Sequence, residues 1–274
     1  MIAAVLKVAL GIAIGVPVVV YLLQDRLMFF PQPLSAARRT VIAQQFPAVD
    51  EVTLRATDGT RLHAWRVRAD AGSPLVLYFG GNAEEVSWML DVIGDPRAGA
   101  TPGVSWLLLD YRGYGESEGS ATEAGVYRDA DAGWDYLTNR PEIDSTRIGV
   151  YGRSIGSAVA LYLATSRPVR ALVLESAFSS GHAMAREHYA FFPQSLVKLD
   201  LDNVERATRL TIPLLSVHGS ADWIAPIEMG RAVAEAGHAE EFYVIEGSGH
   251  NDTYDIGGDA YRQRVHRFLE EHLR

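Results

Sequence analysis

Hydrophobic and polar positions change their period several times along the chain, and each change marks an element. Ile2 to Leu23 is almost wholly apolar, interrupted by Lys7 near its start and Pro17 further in. At about 1.5 Å per residue, a helix of this extent can cross a hydrocarbon core roughly 30 Å thick. Leu27 to Pro47 loses the pattern, and Pro31, Pro33 and Pro47 predict a connector with little regular structure. Glu51 to Ala56 and Arg61 to Val67 flank Thr57-Asp58-Gly59-Thr60, the pattern of a β-hairpin around a tight Asp-Gly turn. Beyond it, strand-like and helical stretches alternate. The strands expected are Pro74 to Phe79, Ser105 to Asp110, Arg147 to Tyr151, Arg170 to Leu174, Ile212 to Val217 and Glu241 to Ile245. Between most of them lie helical stretches: Glu84 to Val92, Thr122 to Thr138, Ile155 to Ser166, Pro226 to Gly237, with Asp259 to His272 at the end. Continuous apolar runs such as Leu75 to Phe79 suit strands buried on both faces of a parallel sheet. The fold class expected is therefore α/β, with a mostly parallel, doubly wound sheet.

One connection is too long for a simple crossover. The stretch between Leu174 and Ile212 carries aromatic, proline and charged residues, including His188-Tyr-Ala-Phe-Phe-Pro193, and reads as a small cap at about 178–210. The organisation expected is a transmembrane anchor at 1–25, a juxtamembrane connector at 26–48 and one α/β domain at 49–274. A cleaved signal peptide would need small residues closing the apolar run, and Val18 to Leu27 has none. A buried core helix would show a polar face, which this segment lacks. Lys7 precedes or enters the span while Arg26, Arg38 and Arg39 follow it. Counting basic residues leans towards a cytoplasmic domain and leaves the side of the membrane open.

Composition narrows the chemistry. With 274 residues and 48% hydrophobic content, the chain can bury one large core. Its 25 basic and 34 acidic side chains give a net charge of −9, which opposes nucleic-acid phosphate, so no nucleic-acid partner is expected. The absence of cysteine excludes disulfides, thiol catalysis and cysteine-ligated zinc.

The chemistry itself is written in Arg147-Ile-Gly-Val-Tyr-Gly-Arg-Ser-Ile-Gly-Ser-Ala-Val-Ala160. A strand-like run meets Gly152-Arg153-Ser154-Ile155-Gly156 and passes directly into an alanine-rich helix. A serine at that corner takes a strained backbone conformation that lifts its Oγ clear of the sheet, and the flanking glycines admit close neighbours. Such a serine needs a base, and the base needs an orienting carboxylate, following it in the order Ser, Asp or Glu, His. Of the eight histidines, His250 lies in the glycine-rich loop Glu246-Gly-Ser-Gly-His-Asn-Asp252 after the last strand, where it can swing over the sheet's carboxyl edge. His218 precedes the acid candidate and so has the wrong order. Asp222, in His218-Gly-Ser-Ala-Asp222, follows the preceding strand and is the expected acid, with Glu175 as the fallback. The oxyanion donors expected are the amides of Ile155 and of Asn82 in Gly80-Gly81-Asn82-Ala83, Ala83 being the weaker choice. Asp110-Tyr-Arg-Gly-Tyr-Gly-Glu-Ser-Glu-Gly119 reads as a folded loop beside the site, with Arg112 helping to hold it.

These motifs together resemble the α/β-hydrolase superfamily. More narrowly, with Asp25-Arg-Leu-Met-Phe-Phe-Pro-Gln-Pro33 after the apolar segment, they are similar to its membrane-anchored serine hydrolases, a group that includes depalmitoylases and lysophospholipid lipases. The resemblance spans nearly the whole chain. It implies the α/β-hydrolase fold, Ser154 as nucleophile, Asp222 as acid and His250 as base. One departure is that Gly80 stands where the family often has histidine, which leaves backbone donors intact while changing the packing around them. The activity expected is hydrolysis of carboxylic esters or thioesters through an acyl-enzyme on Ser154. A lipid substrate suits the anchor, and neither metal nor organic cofactor is expected. A peptidase or a perhydrolase using the same triad, and a non-catalytic binding protein on the same fold, are the alternatives.

Overall fold

The apolar runs become the middle of an eight-stranded sheet. The computed structural model describes residues 2–47, 49–70, 72–94, 103–190 and 192–274, with backbone alone for 2–6, 8–10 and 12–14. Strands β1 (Val49–Arg55) and β2 (Arg61–Val67) form the expected hairpin, antiparallel from Val49 opposite Val67 to Arg55 opposite Arg61. They are followed by β3 (Leu75–Phe79), β4 (Ser105–Leu109), β5 (Ile148–Arg153), β6 (Ala171–Glu175), β7 (Leu214–Gly219) and β8 (Glu241–Ile245). Their order across the sheet is β1-β2-β4-β3-β5-β6-β7-β8. β2 meets β4 antiparallel, and all pairings from β4 through β8 are parallel. Every residue of β3, β5, β6 and β7 is buried, which explains their unbroken apolar character.

Alternate side chains serve two cores. On one face, Leu77, Phe79, Leu107, Val150 and Leu172 pack beneath α4 (Glu123–Thr138) and α5 (Ile155–Ser166), through Val126, Trp134, Val159 and Leu163. On the other, Val76, Tyr78, Leu108, Tyr151 and Val173 pack beneath α3 (Trp88–Gly94) and α9 (Thr253–Leu273), through Met89, Leu90, Val265 and Leu269. The strand order reverses at β3, whose neighbours are β4 and β5. Loops leaving β3 and β5 therefore part to opposite faces and open a crevice between them, the place where ligands bind in open α/β sheets.

The remaining elements refine the sequence expectations. α3 begins at Trp88, so Glu84 to Ser87 stay in the loop after β3. α9 begins at Thr253, earlier than expected, and kinks at Gly258, whose φ of 54° suits glycine. α8 (Ile227–Ala236) lies between β7 and β8 as anticipated. The cap region holds α6 (Gly181–His188), a single 3-10 turn at Gln194–Leu196 and α7 (Asn203–Ala207), and buries Phe178, Leu199, Leu201 and Ala207 in the core beside α5.

The connector is not irregular. α1 (Ile2–Met28) runs without a break past its expected end, and α2 (Ala36–Gln45) fills about half of the segment predicted to lack structure. Pro31 and Pro33 lie ahead of α2 and Pro47 beyond it, so they bound the helix instead of breaking it. Ser35 supplies the N-cap, accepting a hydrogen bond from the Arg38 amide at 3.1 Å. Among the described residues no helix is long and apolar enough to cross a membrane. Within the expected anchor at 1–25, the side chains of residues 1–6, 8–10 and 12–14 lie outside those described.

Candidate active site

At the carboxyl end of β5 the backbone of Ser154 adopts φ 52° and ψ −118°, a conformation few residues other than glycine enter. Two things hold it there. The Ser154 amide donates to the Glu175 carbonyl at 2.8 Å, continuing the ladder to β6, and α5 begins at the next residue. Gly156 makes the corner sterically possible, because a Cβ there would lie 2.1 Å from the Phe79 carbonyl oxygen. The elbow is thereby pressed against the end of β3, and Ser154 is left partly accessible.

Loops after β7 and β8 bring the other two side chains to it. His250 Nε2 lies 2.8 Å from Ser154 Oγ, and His250 Nδ1 lies 2.7 Å from Asp222 Oδ2. An ionised carboxylate only accepts, so Nδ1 carries the proton and Nε2 accepts from the serine hydroxyl. The Asp222 carboxylate is itself fixed by the Ile224 and Ala225 amides, each donating to Oδ1 at 2.9 Å. Burial pushes the Asp222 pKa up, but hydrogen bonds from His218, His250 and the Ala225 amide outweigh it and hold the carboxyl well below the usual range. Asp252 closes the histidine loop, its Oδ1 accepting from the Gly249 amide at 2.7 Å and from Ser248 Oγ at 2.9 Å.

Glu175 does something else. Its carboxylate accepts from the Tyr151, Tyr261 and Thr253 hydroxyls and pairs with Arg153, with no hydrogen bond to His250 among the described contacts. His218, set aside on chain order, stands as a second imidazole beside Asp222. Its Nε2 donates to the Ala225 carbonyl at 2.7 Å and lies 3.4 Å from Asp222 Oδ2.

The two amides expected to face an oxyanion belong to the start of α5 and to the loop after β3. Ile155 is the first residue of α5, where an amide has no acceptor in a preceding turn. The Asn82 amide makes no backbone hydrogen bond among the described residues, whereas the Gly81 amide beside it donates to Glu84 Oε2 at 2.8 Å. Gly81 packs on the elbow, since a Cβ there would lie 3.5 Å from that of Ser154. A cleft of about 900 Å³ opens alongside, lined in part by Asn82, Trp88, Arg153, Asn251 and Tyr254.

Sequence reasoning overlooked Arg153. Its guanidinium reaches Glu84 at 2.9 Å, Glu175 at 3.3 Å, and the His250 carbonyl and Asn251 Oδ1 at 2.9 Å each. One buried cation thus ties the loops after β3 and β8 to the end of β6. An arginine inside the Gly-x-Ser-x-Gly motif, with no room for a long side chain to reach solvent between buried strands, was the available signal. Arg112 behaves as anticipated, binding Asp129 of α4 and Asp58 of the hairpin turn at 2.8 Å each. Ser117 and Ser157 are engaged in scaffold bonds to Asp110 and Asn203.

Comparison with known proteins agrees with this architecture. A family profile described as the alpha/beta hydrolase fold matches residues 74–197. The uncharacterized protein Rv2307c of Mycobacterium tuberculosis is 34% identical over 264 residues, covering 95% of this chain and 92% of that one. The chain belongs to the α/β-hydrolase superfamily. The alpha/beta hydrolase domain-containing protein WAV2 of Arabidopsis thaliana is 29% identical over 292 residues, covering 96% of this hydrolase and 92% of the relative. Among solved structures, the Pyrococcus furiosus esterase Pf2001 superposes with a TM-score of 0.71 at 18% identity, over 90% of this chain and 99% of its own. The Pyrococcus horikoshii acylaminoacyl peptidase superposes at 0.64 and 15% identity, over 86% of this chain and 44% of its own. At such identities these structures share the fold, and activity has to be argued from the site.

Proposed function

We propose that this α/β hydrolase is a serine esterase or thioesterase that works through an acyl-enzyme on Ser154. The observation carrying the reading is the hydrogen-bonded relay from Ser154 Oγ through His250 to Asp222, with contacts of 2.8 and 2.7 Å, built on a serine held at positive φ. His250 Nε2 takes the hydroxyl proton as Oγ attacks the acyl carbon. Asp222 holds the imidazole in the required tautomer and stabilises the imidazolium. The amides of Asn82 and Ile155 receive the negative charge that develops on the carbonyl oxygen. His250 then gives its proton to the departing alkoxide or thiolate, and water repeats the sequence to free the acid.

An N-terminal membrane tether belongs to the same reading. Its support is the apolar sequence of α1 and the exposure of Val16, Val18, Val19, Leu22 and Leu27 along its second half. With a net charge of −9, attraction to anionic lipid would not hold the protein at a bilayer, so the helix itself has to. A fluorophosphonate probe tests the chemistry: wild type labels and Ser154→Ala does not. A folded wild type that neither labels nor hydrolyses p-nitrophenyl esters or acyl-thioesters of graded length overturns it. Flotation with neutral vesicles tests the tether.

A further inference from the structure

The side chain of Asn82 is occupied away from the crevice. Its Nδ2 donates to the Met28 carbonyl, and its Oδ1 accepts from the Phe30 amide at 2.9 Å and from the Tyr114 hydroxyl at 2.8 Å. The carboxamide thus pairs with the backbone of residues 28 to 30 much as a neighbouring strand would. That backbone is itself secured, because Phe29 is 3% exposed within the main core. The chain just beyond is secured too. The Gly115 amide donates to the Gln32 carbonyl at 2.8 Å and the Leu34 amide to the Gly115 carbonyl at 3.2 Å. One turn back in α1, Gln24 holds the cap, donating to the Leu196 carbonyl at 2.6 Å and accepting from the Lys198 amide at 2.7 Å. The loop being held is strained, with Ala83 at φ 58°.

We infer that the Asn82 carboxamide is a positioning group: by clamping the loop after β3 to the end of α1 and to Tyr114, it aims the Asn82 amide at the oxyanion. This rests on the acyl-transfer reading of Ser154. Carboxamide and amide belong to one residue, so the clamp and the donor share a Cα and cannot move independently. Oδ1 already accepts from Phe30 and Tyr114, so the side chain has little capacity left for substrate. Displacing a catalytic donor by about 1 Å costs on the order of 10² in rate. The N-terminal helix thereby helps to set the geometry of the site as well as tethering it.

The test uses the full-length protein in detergent with a short, soluble p-nitrophenyl ester. It measures kcat, KM, the thermal midpoint and the inhibition constant of a trifluoromethyl ketone, which forms a charged tetrahedral adduct. Asn82→Ala keeps the backbone donor and removes the clamp. The expectation is a kcat lower by about 10²-fold with KM little changed, and ketone affinity weakened by a similar factor. Tyr114→Phe removes one hydroxyl and should lower kcat about fivefold, the equivalent of one neutral hydrogen bond, with no further effect once Asn82 is alanine. The Tyr114 variant carries the same test if Asn82→Ala fails to fold. An unchanged kcat in the clamp variants overturns the inference. So does a lower kcat with ketone affinity unmoved, which would place the effect outside the oxyanion site. Both results require an active wild type, whereas an inactive wild type overturns the function proposed for Ser154.

Discussion

Arg153 and Glu84 lie 2.9 Å apart, and the Glu84 oxygen that meets the guanidinium also accepts the Gly81 amide at 2.8 Å. A cation inside the Gly-x-Ser-x-Gly motif is in this way coupled to the loop that carries the Asn82 amide. On its other side the same guanidinium meets Glu175 and the carbonyl of His250. Burial disfavours the charged guanidinium, but Glu175 and Glu84 outweigh it and keep Arg153 firmly protonated.

Removing that cation leaves two buried carboxylates facing an empty space. Arg153→Met should cost about 3–5 kcal/mol, the usual penalty for breaking a buried ion pair from one side. Equilibrium urea unfolding measures it. Adding Glu84→Gln and Glu175→Gln should restore part of the loss, and a triple variant no more stable than the single one would refute the charge argument.

Asp222 and Glu175 should separate cleanly as variants. Asp222→Asn leaves His250 in the wrong tautomer and should lower kcat by about 10⁴-fold with little change in KM. Glu175→Gln touches no group bonded to His250 Nδ1 and should act mainly on stability, through the Tyr151, Tyr261 and Arg153 contacts. Steady-state kinetics on both variants decides the matter, and a larger kcat loss for Glu175→Gln would reassign the acid.

Gly156 tests the elbow. A Cβ there meets the Phe79 and Gly80 carbonyl oxygens at 2.1 and 2.7 Å, both of them backbone atoms that cannot swing aside. Gly156→Ala should therefore lie at or beyond the upper end of the roughly 1–3 kcal/mol seen for overpacking. Gly249→Ala, whose nearest neighbour would be 3.6 Å away, should change little. Thermal unfolding of the two variants makes the comparison.

A buried pair away from the site sets a pH dependence. His63 Nδ1 lies 2.8 Å from Asp110 Oδ2, and Nε2 lies 3.2 Å from Glu51. Burial lowers the His63 pKa, but the hydrogen bond to Asp110 and the charges of Asp110, Glu51 and Glu116 raise it overall. Asp110 is pushed up to about 6, chiefly by burial. Both groups hold their protons more tightly in the folded state. The His63 contribution is complete below about 6.5, its unfolded value, and is lost as pH rises through the folded value. Asp110 adds a fall in stability as pH climbs from about 4 towards its folded value. Unfolding free energy measured from about pH 5 to 9 should decline, with the upper part of the slope missing in His63→Gln. An unchanged slope in that variant would remove His63 as the cause.

The local pattern was enough to place most elements and to gather Ser154, Asp222 and His250 on one edge. Strands buried on both faces leave continuous apolar runs, and the expected hairpin and all six later strands are present with small shifts at their ends. In a parallel α/β sheet the loops after successive strands emerge on the same edge, so chain order alone brought the three side chains near one another. Prolines misled the reading of the connector, because in sequence a proline that bounds a helix looks the same as one that breaks it.

What only the tertiary structure decided is how the loops are held. Arg153 joins Glu84, Glu175 and His250 across sequence separations of 69, 22 and 97 residues, and Asn82 grips a backbone 52 to 54 residues away. No periodicity encodes such contacts. A polar side chain in a crowded interior has to find partners, and which partners lie within reach is set by the strand order, not by the neighbours in sequence. The sequence by itself placed Ser154, His250 and Asp222 on one sheet edge; the packing of β3 against β5 determined how the Asn82 loop meets them.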